Sequence, residues 1–147
     1  MSPSDPADWL LLCRTVRFGD TDAAGVMHFH QLLRWCHEAY EESLERFGVV
    51  AGEIFPGPGR TPVVALPIVH VSADYRRPLA CGDPLAIELR PQQRDGGSFE
   101  IRYRFLHNSQ EAATGLTRHV AIEASSRRRT DLPASVLQWL EASRTAS

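Results

Sequence analysis

The apolar residues between Phe29 and Phe47 recur at helical spacing and give the clearest structural signal in the chain. They lie three or four positions apart, which puts them on one face of a helix: Phe29, Leu32, Leu33, Cys36, Ala39, Tyr40, Leu44 and Phe47. Gly48 follows as the expected C-terminal stop, and Trp35 broadens the apolar stripe. The pattern predicts one long helix in a central position, wrapped by a curved sheet.

Segments of strand length with partial alternation flank this helix on both sides. Trp9–Phe18 predicts a first strand, and four later segments predict further strands: Val63–Tyr75, Pro84–Gln92, Ser98–His107 and Ala112–Ala124. Turn signals at Gly82-Asp83 and Asp95–Gly97 separate the later segments, as in an antiparallel meander. A short helix from about Pro133 to Glu141 is expected to close the chain.

This order of elements predicts an α+β fold with an antiparallel sheet wrapped around one long central helix. We expect residues 1–147 to form a single domain. The segment Val49–Pro62 holds three glycines and three prolines and is expected to be a loop bordering a site. A sheet of this kind keeps edges, and pairing an edge with a second copy predicts a homodimer or homotetramer.

The amino-acid composition limits the kinds of molecule that the protein could bind. Lysine and arginine total 16 against 18 aspartates and glutamates, so no global field favours nucleic acid or an anionic membrane. The three cysteines, Cys13, Cys36 and Cys81, lack CxxC spacing and are expected to be reduced, small buried residues. Met1–Asp8 has no features of an export signal, and no apolar run approaches membrane-spanning length. We therefore expect a soluble, cytoplasmic protein.

The candidate chemistry lies in the glycine-flanked loop Gly19–Gly25, which leads into the start of the long helix. The first N–H groups of a helix have no internal partners, so one near His28 or Phe29 could bind a thioester oxygen as it becomes an oxyanion. Aspartate side chains are ionised at neutral pH, so Asp22 could serve as nucleophile or general base. Thioester hydrolysis needs little more than these two groups and water.

Three segments carry a resemblance to a known family. Gly19–Phe29 with its helix, Val71–Asp83 and Thr117–Val120 resemble the hot-dog thioesterases of the 4-hydroxybenzoyl-CoA type, over nearly the whole chain. Within that family, they most resemble the cyanobacterial 1,4-dihydroxy-2-naphthoyl-CoA thioesterases of phylloquinone (vitamin K1) synthesis. The resemblance implies a hot-dog fold and hydrolysis of this acyl-CoA to 1,4-dihydroxy-2-naphthoate and coenzyme A.

The same resemblance implies that Asp22 is catalytic, that the backbone amide of Phe29 polarises the thioester carbonyl, and that the site lies at a dimer interface. It implies no cofactor. Attack by Asp22 and activation of water by Asp22 remain alternative mechanisms. A thioesterase for another aromatic or aliphatic acyl-CoA, and a non-hydrolytic acyl-CoA or acyl-carrier-protein binding module, remain alternative functions.

Other polar residues carry two interpretations each. His28 could contact the acyl group or simply pack at the helix start, and Asp20 is expected to brace the loop. Arg127 or Arg128 could bind the phosphates of coenzyme A, or could be a solvated strand end. The histidines and cysteine around the helix start lack zinc-site spacing, so no metal is expected.

Overall fold

The computed structural model describes residues 5–144, so Met1–Ser4 of the N-terminal segment and Thr145–Ser147 lie outside the described residues. The helices are α1 (Ala7–Leu10), α2 (Phe29–Phe47), α3 (Ala51–Ile54) and α4 (Ala134–Arg144). The strands are β1 (Leu11–Thr15), β2 (Val64–Ala65), β3 (Ile68–Tyr75), β4 (Pro84–Asp95), β5 (Ser98–His107), β6 (Gln110–Val120) and β7 (Ile122–Glu123). The long helix and the β5 strand have the bounds that the sequence predicts.

Five strands form an antiparallel sheet in the order β1-β4-β5-β6-β3, and β2 and β7 form a separate pair. Helix α2 runs along the inner face of the five-stranded sheet and ends at Gly48, whose φ of 112° is left-handed. Glycine meets no steric penalty there, which explains the stop. The α+β hot-dog arrangement predicted from the sequence is confirmed.

Four predicted segments need correction. The first strand is shorter than Trp9–Phe18, because Trp9 and Leu10 belong to α1 and Phe18–Asp20 forms a single 3₁₀ turn. The Trp9 ring packs edge-on against Phe47, with ring centroids 5.1 Å apart. Burial of Trp9 in this contact therefore determines the helical conformation of α1. The Val49–Pro62 segment contains α3. The predicted strand Val63–Tyr75 is interrupted between β2 and β3, which belong to different sheets, and the last predicted strand is interrupted between β6 and β7.

Close packing of α2 on the sheet depends on Gly115 in β6. A Cβ atom at this position would lie 2.8 Å from Cys36 Sγ, a distance that real Cβ atoms do not tolerate. Glycine therefore lets the helix approach the strand more closely than any other residue would. Around this contact the inner face is filled by large buried side chains of β5, namely Phe99, Ile101, Tyr103 and Phe105.

The cysteine prediction holds for one residue of three. Cys36 is buried, and burial raises the pKa of its thiol to about 12. Cys13 on the edge strand β1 and Cys81 in the turn before β4 are exposed, so the expectation of burial was wrong for both. Among the described residues, no helix has the length and apolar character that crossing a membrane requires.

The outer face of the sheet carries charged pairs that cross from strand to strand. Arg104 on β5 donates to Glu111 at 3.0 Å and to Glu88 at 3.2 Å, and these bonds raise the pKa of its guanidinium. Arg118 on β6 donates to Glu100 at 3.0 Å. Exposed pairs of this kind stabilise the fold only modestly, and they offset part of the positive charge of this face.

Strand β3 lies at an edge of the sheet, and all eight of its residues are exposed. Its apolar members include Val69 and Val71, which are 59% and 47% exposed. A long, exposed, apolar edge strand invites pairing with another strand, and proteins usually cover such an edge.

His119 is a buried histidine inside the core. Its ring stacks on Phe99 with centroids 4.6 Å apart, and Thr117 Oγ1 lies 2.9 Å from its Nε2 atom. Thr117 also contacts the Tyr103 hydroxyl at 2.9 Å. Removal from water disfavours the charged imidazole and lowers the pKa of His119 from 6.5 to about 4.

This buried histidine predicts a stability that falls in mild acid. Neutral His119 contributes stability that is fully present above pH 6.5 and is lost as the pH falls toward 4, because the unfolded chain then binds the proton more strongly. Between pH 7 and pH 5 the free energy of unfolding should drop by about 2 kcal/mol more than in a His119→Gln variant. Urea denaturation of both proteins at one protein concentration measures this, and parallel pH profiles would contradict it.

Candidate active site

Asp22 lies in a tight turn that fixes one of its carboxylate oxygens. The Oδ1 atom accepts a hydrogen bond from Ala24 N at 2.8 Å, and the Asp22 carbonyl accepts one from Gly25 N at 2.9 Å. Gly25 has a φ of 81°, which favours glycine at this point of the turn. Within residues 5–144 the Oδ2 atom accepts no hydrogen bond, and the side chain is exposed. One carboxylate oxygen is thus held while the other faces solvent.

Two backbone hydrogen bonds tie this loop to the rest of the fold. Met27 N donates to Leu79 O at 2.7 Å, and His28 N donates to Asp20 O at 3.2 Å. The Asp20 carboxylate accepts from Arg17 N at 2.8 Å, which is the bracing role predicted for it. The loop is consequently clamped between the turn after β3 and the start of α2.

The start of α2 offers unpaired backbone donors beside this loop. His28 is the N-cap residue, and its Nδ1 atom accepts from Gln31 N at 3.4 Å. Among the described residues, the Phe29 amide donates no hydrogen bond, while the Phe29 side chain is 69% exposed. The first turn carries no acidic residue that would compete with a bound anion. This amide is therefore available to a developing oxyanion.

Tyr75, which the sequence interpretation did not single out, lies close to the same site. It ends β3 and pairs with Ala113, a residue of the buried inner face. Burial and then the Asp22 carboxylate raise the pKa of Tyr75 to about 12. The alternation of Val71, Ala73 and Tyr75 could have placed it on the inner face, but the proximity to Asp22 needs the three-dimensional fold.

Arg127 and Arg128 lie away from these groups. Both are exposed in the turn after β7, where Arg127 has a φ of 65° and its N–H bonds the Glu123 carbonyl. Strand β6 separates this turn from the Asp22 end by the eight residues from Ala113 to Val120, whose seven steps span about 23 Å of extended chain. The structure thus brings together Asp22, the His28 cap and the Phe29 amide. Both arginines lie at the opposite end of β6.

The arrangement has the parts for attack on a carbonyl carbon. A carboxylate with one free oxygen lies in the loop that leads into a helix start whose amide can stabilise negative charge on oxygen. No three His, Cys, Asp or Glu side chains converge on a metal site within residues 5–144. The chemistry available here belongs to the carboxylate and the amide.

The comparison with known families agrees with this geometry. The model of the thioesterase-like superfamily matches residues 16–140, which include the Asp22 loop, α2 and every strand from β2 to β7. The chain belongs to the thioesterase-like superfamily.

Relatives from cyanobacteria cover nearly the whole chain. It is 61% identical to a 1,4-dihydroxy-2-naphthoyl-CoA hydrolase of Synechococcus sp. strain CC9605, over 93% of each protein. A hydrolase of the same name from Prochlorococcus marinus strain MIT 9303 is 58% identical, over 95% of this chain and 94% of its own. A 1,4-dihydroxy-2-naphthoyl-CoA thioesterase structure from Synechocystis superposes with a TM-score of 0.78 at 32% identity, covering 89% of this chain and 94% of that one. These similarities confirm the resemblance drawn from the sequence.

The His28 cap predicts a measurable contribution to stability. Replacing His28 with Ala removes the side-chain acceptor for Gln31 N and should cost about 1 kcal/mol, whereas His28→Asn should recover most of that loss. Chemical denaturation of the three proteins provides the comparison. An Asn variant no more stable than the Ala variant would show that the cap contributes nothing.

Proposed function

We propose that this thioesterase hydrolyses 1,4-dihydroxy-2-naphthoyl-CoA to 1,4-dihydroxy-2-naphthoate and coenzyme A. One observation carries the proposal. Among the described residues, one oxygen of the Asp22 carboxylate accepts no hydrogen bond, and the Asp22 loop leads to the Phe29 amide, which donates none. The relatives at 58% and 61% identity, named for this reaction, support the choice of substrate. The product is a precursor of phylloquinone, so we place the reaction in that synthesis.

In the proposed reaction the thioester oxygen accepts a hydrogen bond from the Phe29 amide while the carbonyl carbon faces Asp22. The carboxylate then either attacks this carbon to form a mixed anhydride or takes a proton from a water that attacks it. In both routes the carbon–sulfur bond breaks and coenzyme A leaves as a thiolate. Water hydrolyses the anhydride in the first route, so both routes end in the free acid.

The catalytic assignment predicts a large loss on replacing Asp22. Asp22→Asn should lower kcat by about 10²- to 10⁴-fold while KM changes little, because the amide side chain keeps the turn but neither attacks nor accepts a proton. Asp20→Asn is the matched control, since it removes a carboxylate that braces the loop without facing the substrate. Release of coenzyme A from naphthoyl, benzoyl and fatty acyl thioesters gives both the rates and the substrate preference.

Retention of rate by the Asp22→Asn variant would remove this residue from the mechanism. A preference for benzoyl or fatty acyl thioesters would replace the proposed substrate while leaving the chemistry in place. Incorporation of ¹⁸O into Asp22 during a single turnover in labelled water would identify the anhydride route. Label in the product acid alone fits both the general-base route and attack of water on the acyl carbon of the anhydride.

A homodimer formed through β3 is part of the proposal. The strand is an exposed edge with apolar side chains, and antiparallel pairing with β3 of a second copy would satisfy its backbone groups and cover Val69 and Val71. Association of two such dimers would give the tetramer. The three free cysteines suit a reducing compartment, so we place the enzyme in the cytoplasm.

Pairing of β3 with β3 of a second copy would give Arg127 and Arg128 a role that they cannot have in a single chain. Antiparallel alignment of two β3 strands places the far end of one copy beside the Asp22 end of the other. The exposed guanidinium groups of the second copy would then meet the phosphates of coenzyme A, for which arginine is well suited. We propose that each site uses Asp22 and Phe29 from one copy and Arg127 or Arg128 from the other.

This shared site predicts complementation between two defective chains. The double variant Arg127→Gln, Arg128→Gln should raise KM with little change in kcat. Its mixed dimers with Asp22→Asn should recover about a quarter of the wild-type sites, because half of the dimers are mixed and each holds one intact site. Activity is measured at a substrate concentration below the wild-type KM, where the arginine variant is defective, after unfolding and refolding the two variants together. A mixture no more active than its two parents would place the arginines and Asp22 of one site on the same chain.

A further inference from the structure

Tyr75 occupies the end of β3 that is tied to the catalytic loop. Its cross-strand partner is Ala113, so its side chain lies on the same inner face of the sheet as that buried residue. Four residues later, the Leu79 carbonyl accepts the hydrogen bond from Met27 N that holds the Asp22 loop. Topology thus places the phenol ring between the sheet edge and the loop that carries Asp22.

The phenol is available to a ligand. Tyr75 is 43% exposed, and its hydroxyl makes no hydrogen bond to any of the residues from 5 to 144. The adjoining inner-face positions are small, since Ala73 pairs with Gly115 and Tyr75 with Ala113. Helix α2 fills the space beside Gly115, so the part of this wall that is open to a ligand is Ala73 and Tyr75 on β3, both of which are exposed. Burial and then the negative charge of Asp22 raise the pKa of Tyr75, so the phenol keeps the proton that it donates.

We propose that Tyr75 is a specificity-determining residue whose hydroxyl bonds the ring hydroxyl adjacent to the thioester of an ortho-hydroxyaryl acyl group. This inference rests on the proposed function, which fixes the carbonyl carbon at Asp22 and the carbonyl oxygen at the Phe29 amide. A hydroxyl on the neighbouring ring carbon lies within hydrogen-bond distance of that carbonyl. It therefore enters the same space between α2 and β3 that Tyr75 borders.

A hydrogen bond to a substrate hydroxyl selects against analogues that lack it, because a donor covered by the bound acyl group is then left without a partner. An acyl group with the ortho hydroxyl satisfies Tyr75, and a plain aryl group does not. Tyr75 accordingly contributes to the choice between substrates, whereas Asp22 acts on the thioester that they share.

The test compares 1-hydroxy-2-naphthoyl-CoA with 2-naphthoyl-CoA, which differ only in this hydroxyl. The wild-type protein should prefer the hydroxylated thioester by about tenfold in kcat/KM, and Tyr75→Phe should abolish that preference by slowing the hydroxylated substrate alone. Tyr40→Phe is the matched control, since the Tyr40 hydroxyl is buried on α2 with no hydrogen bond among the described residues. Its preference should equal that of the wild type.

A preference that survives in Tyr75→Phe overturns the inference. Equal slowing of both substrates also overturns it, because a residue that only positioned Asp22 would have that effect. Failure of the proposed function gives a different result, in which the wild-type protein hydrolyses neither naphthoyl thioester. The same pair of variants is then compared on 2-hydroxybenzoyl-CoA and benzoyl-CoA, where loss of the hydroxyl preference in Tyr75→Phe supports the inference and its retention rejects it.

Discussion

The close approach of α2 to β6 is the constraint on which the rest of the structure depends. Because Gly115 has no side chain, Cys36 and the helix backbone settle directly on the sheet. This depth sets where the N-terminus of the helix emerges, and so where the Phe29 amide lies relative to the loop that precedes it. The backbone bonds from Met27 and His28 then hold the loop against that fixed point. A site built mainly from backbone geometry tolerates variation in the side chains around it.

Periodicity was sufficient to predict the elements whose burial follows from local sequence. The apolar stripe of α2 and its glycine stop fixed both of its ends, and the alternation in β5 fixed that strand. The failures came where distant contacts decide the local conformation. Trp9 is helical because it packs on Phe47 at the end of α2, and β6 and β7 are separated where Ala121 N bonds Gly97 O. The two residues of each contact lie more than 20 positions apart, so a local sequence pattern does not reveal them.

The same distinction between local sequence and distant contacts applies to the candidate site. Asp22 and the Phe29 amide were predictable because a loop and the helix that follows it are neighbours in the chain. Tyr75 was missed because its nearness to Asp22 arises from the turn that brings Leu79 back to Met27. Arg127 and Arg128 were predicted as ligands, yet a single chain leaves them far from Asp22. Their proposed use requires a second copy, which a sequence indicates only through an exposed edge.

The charge pairs on the outer face of the sheet have a consequence for how a polyanion approaches the molecule. Arg104 and Arg118 each pair with a glutamate across a strand, but Glu88 also pairs with Arg90 and Glu100 with Arg102, so these carboxylates offset only part of the positive charge of this surface. Arg127 and Arg128 form no ion pair with any residue of the described chain. Pairing with carboxylates lowers the pull of the sheet arginines on a polyanion, whereas the guanidinium groups of Arg127 and Arg128 keep their full charge for it.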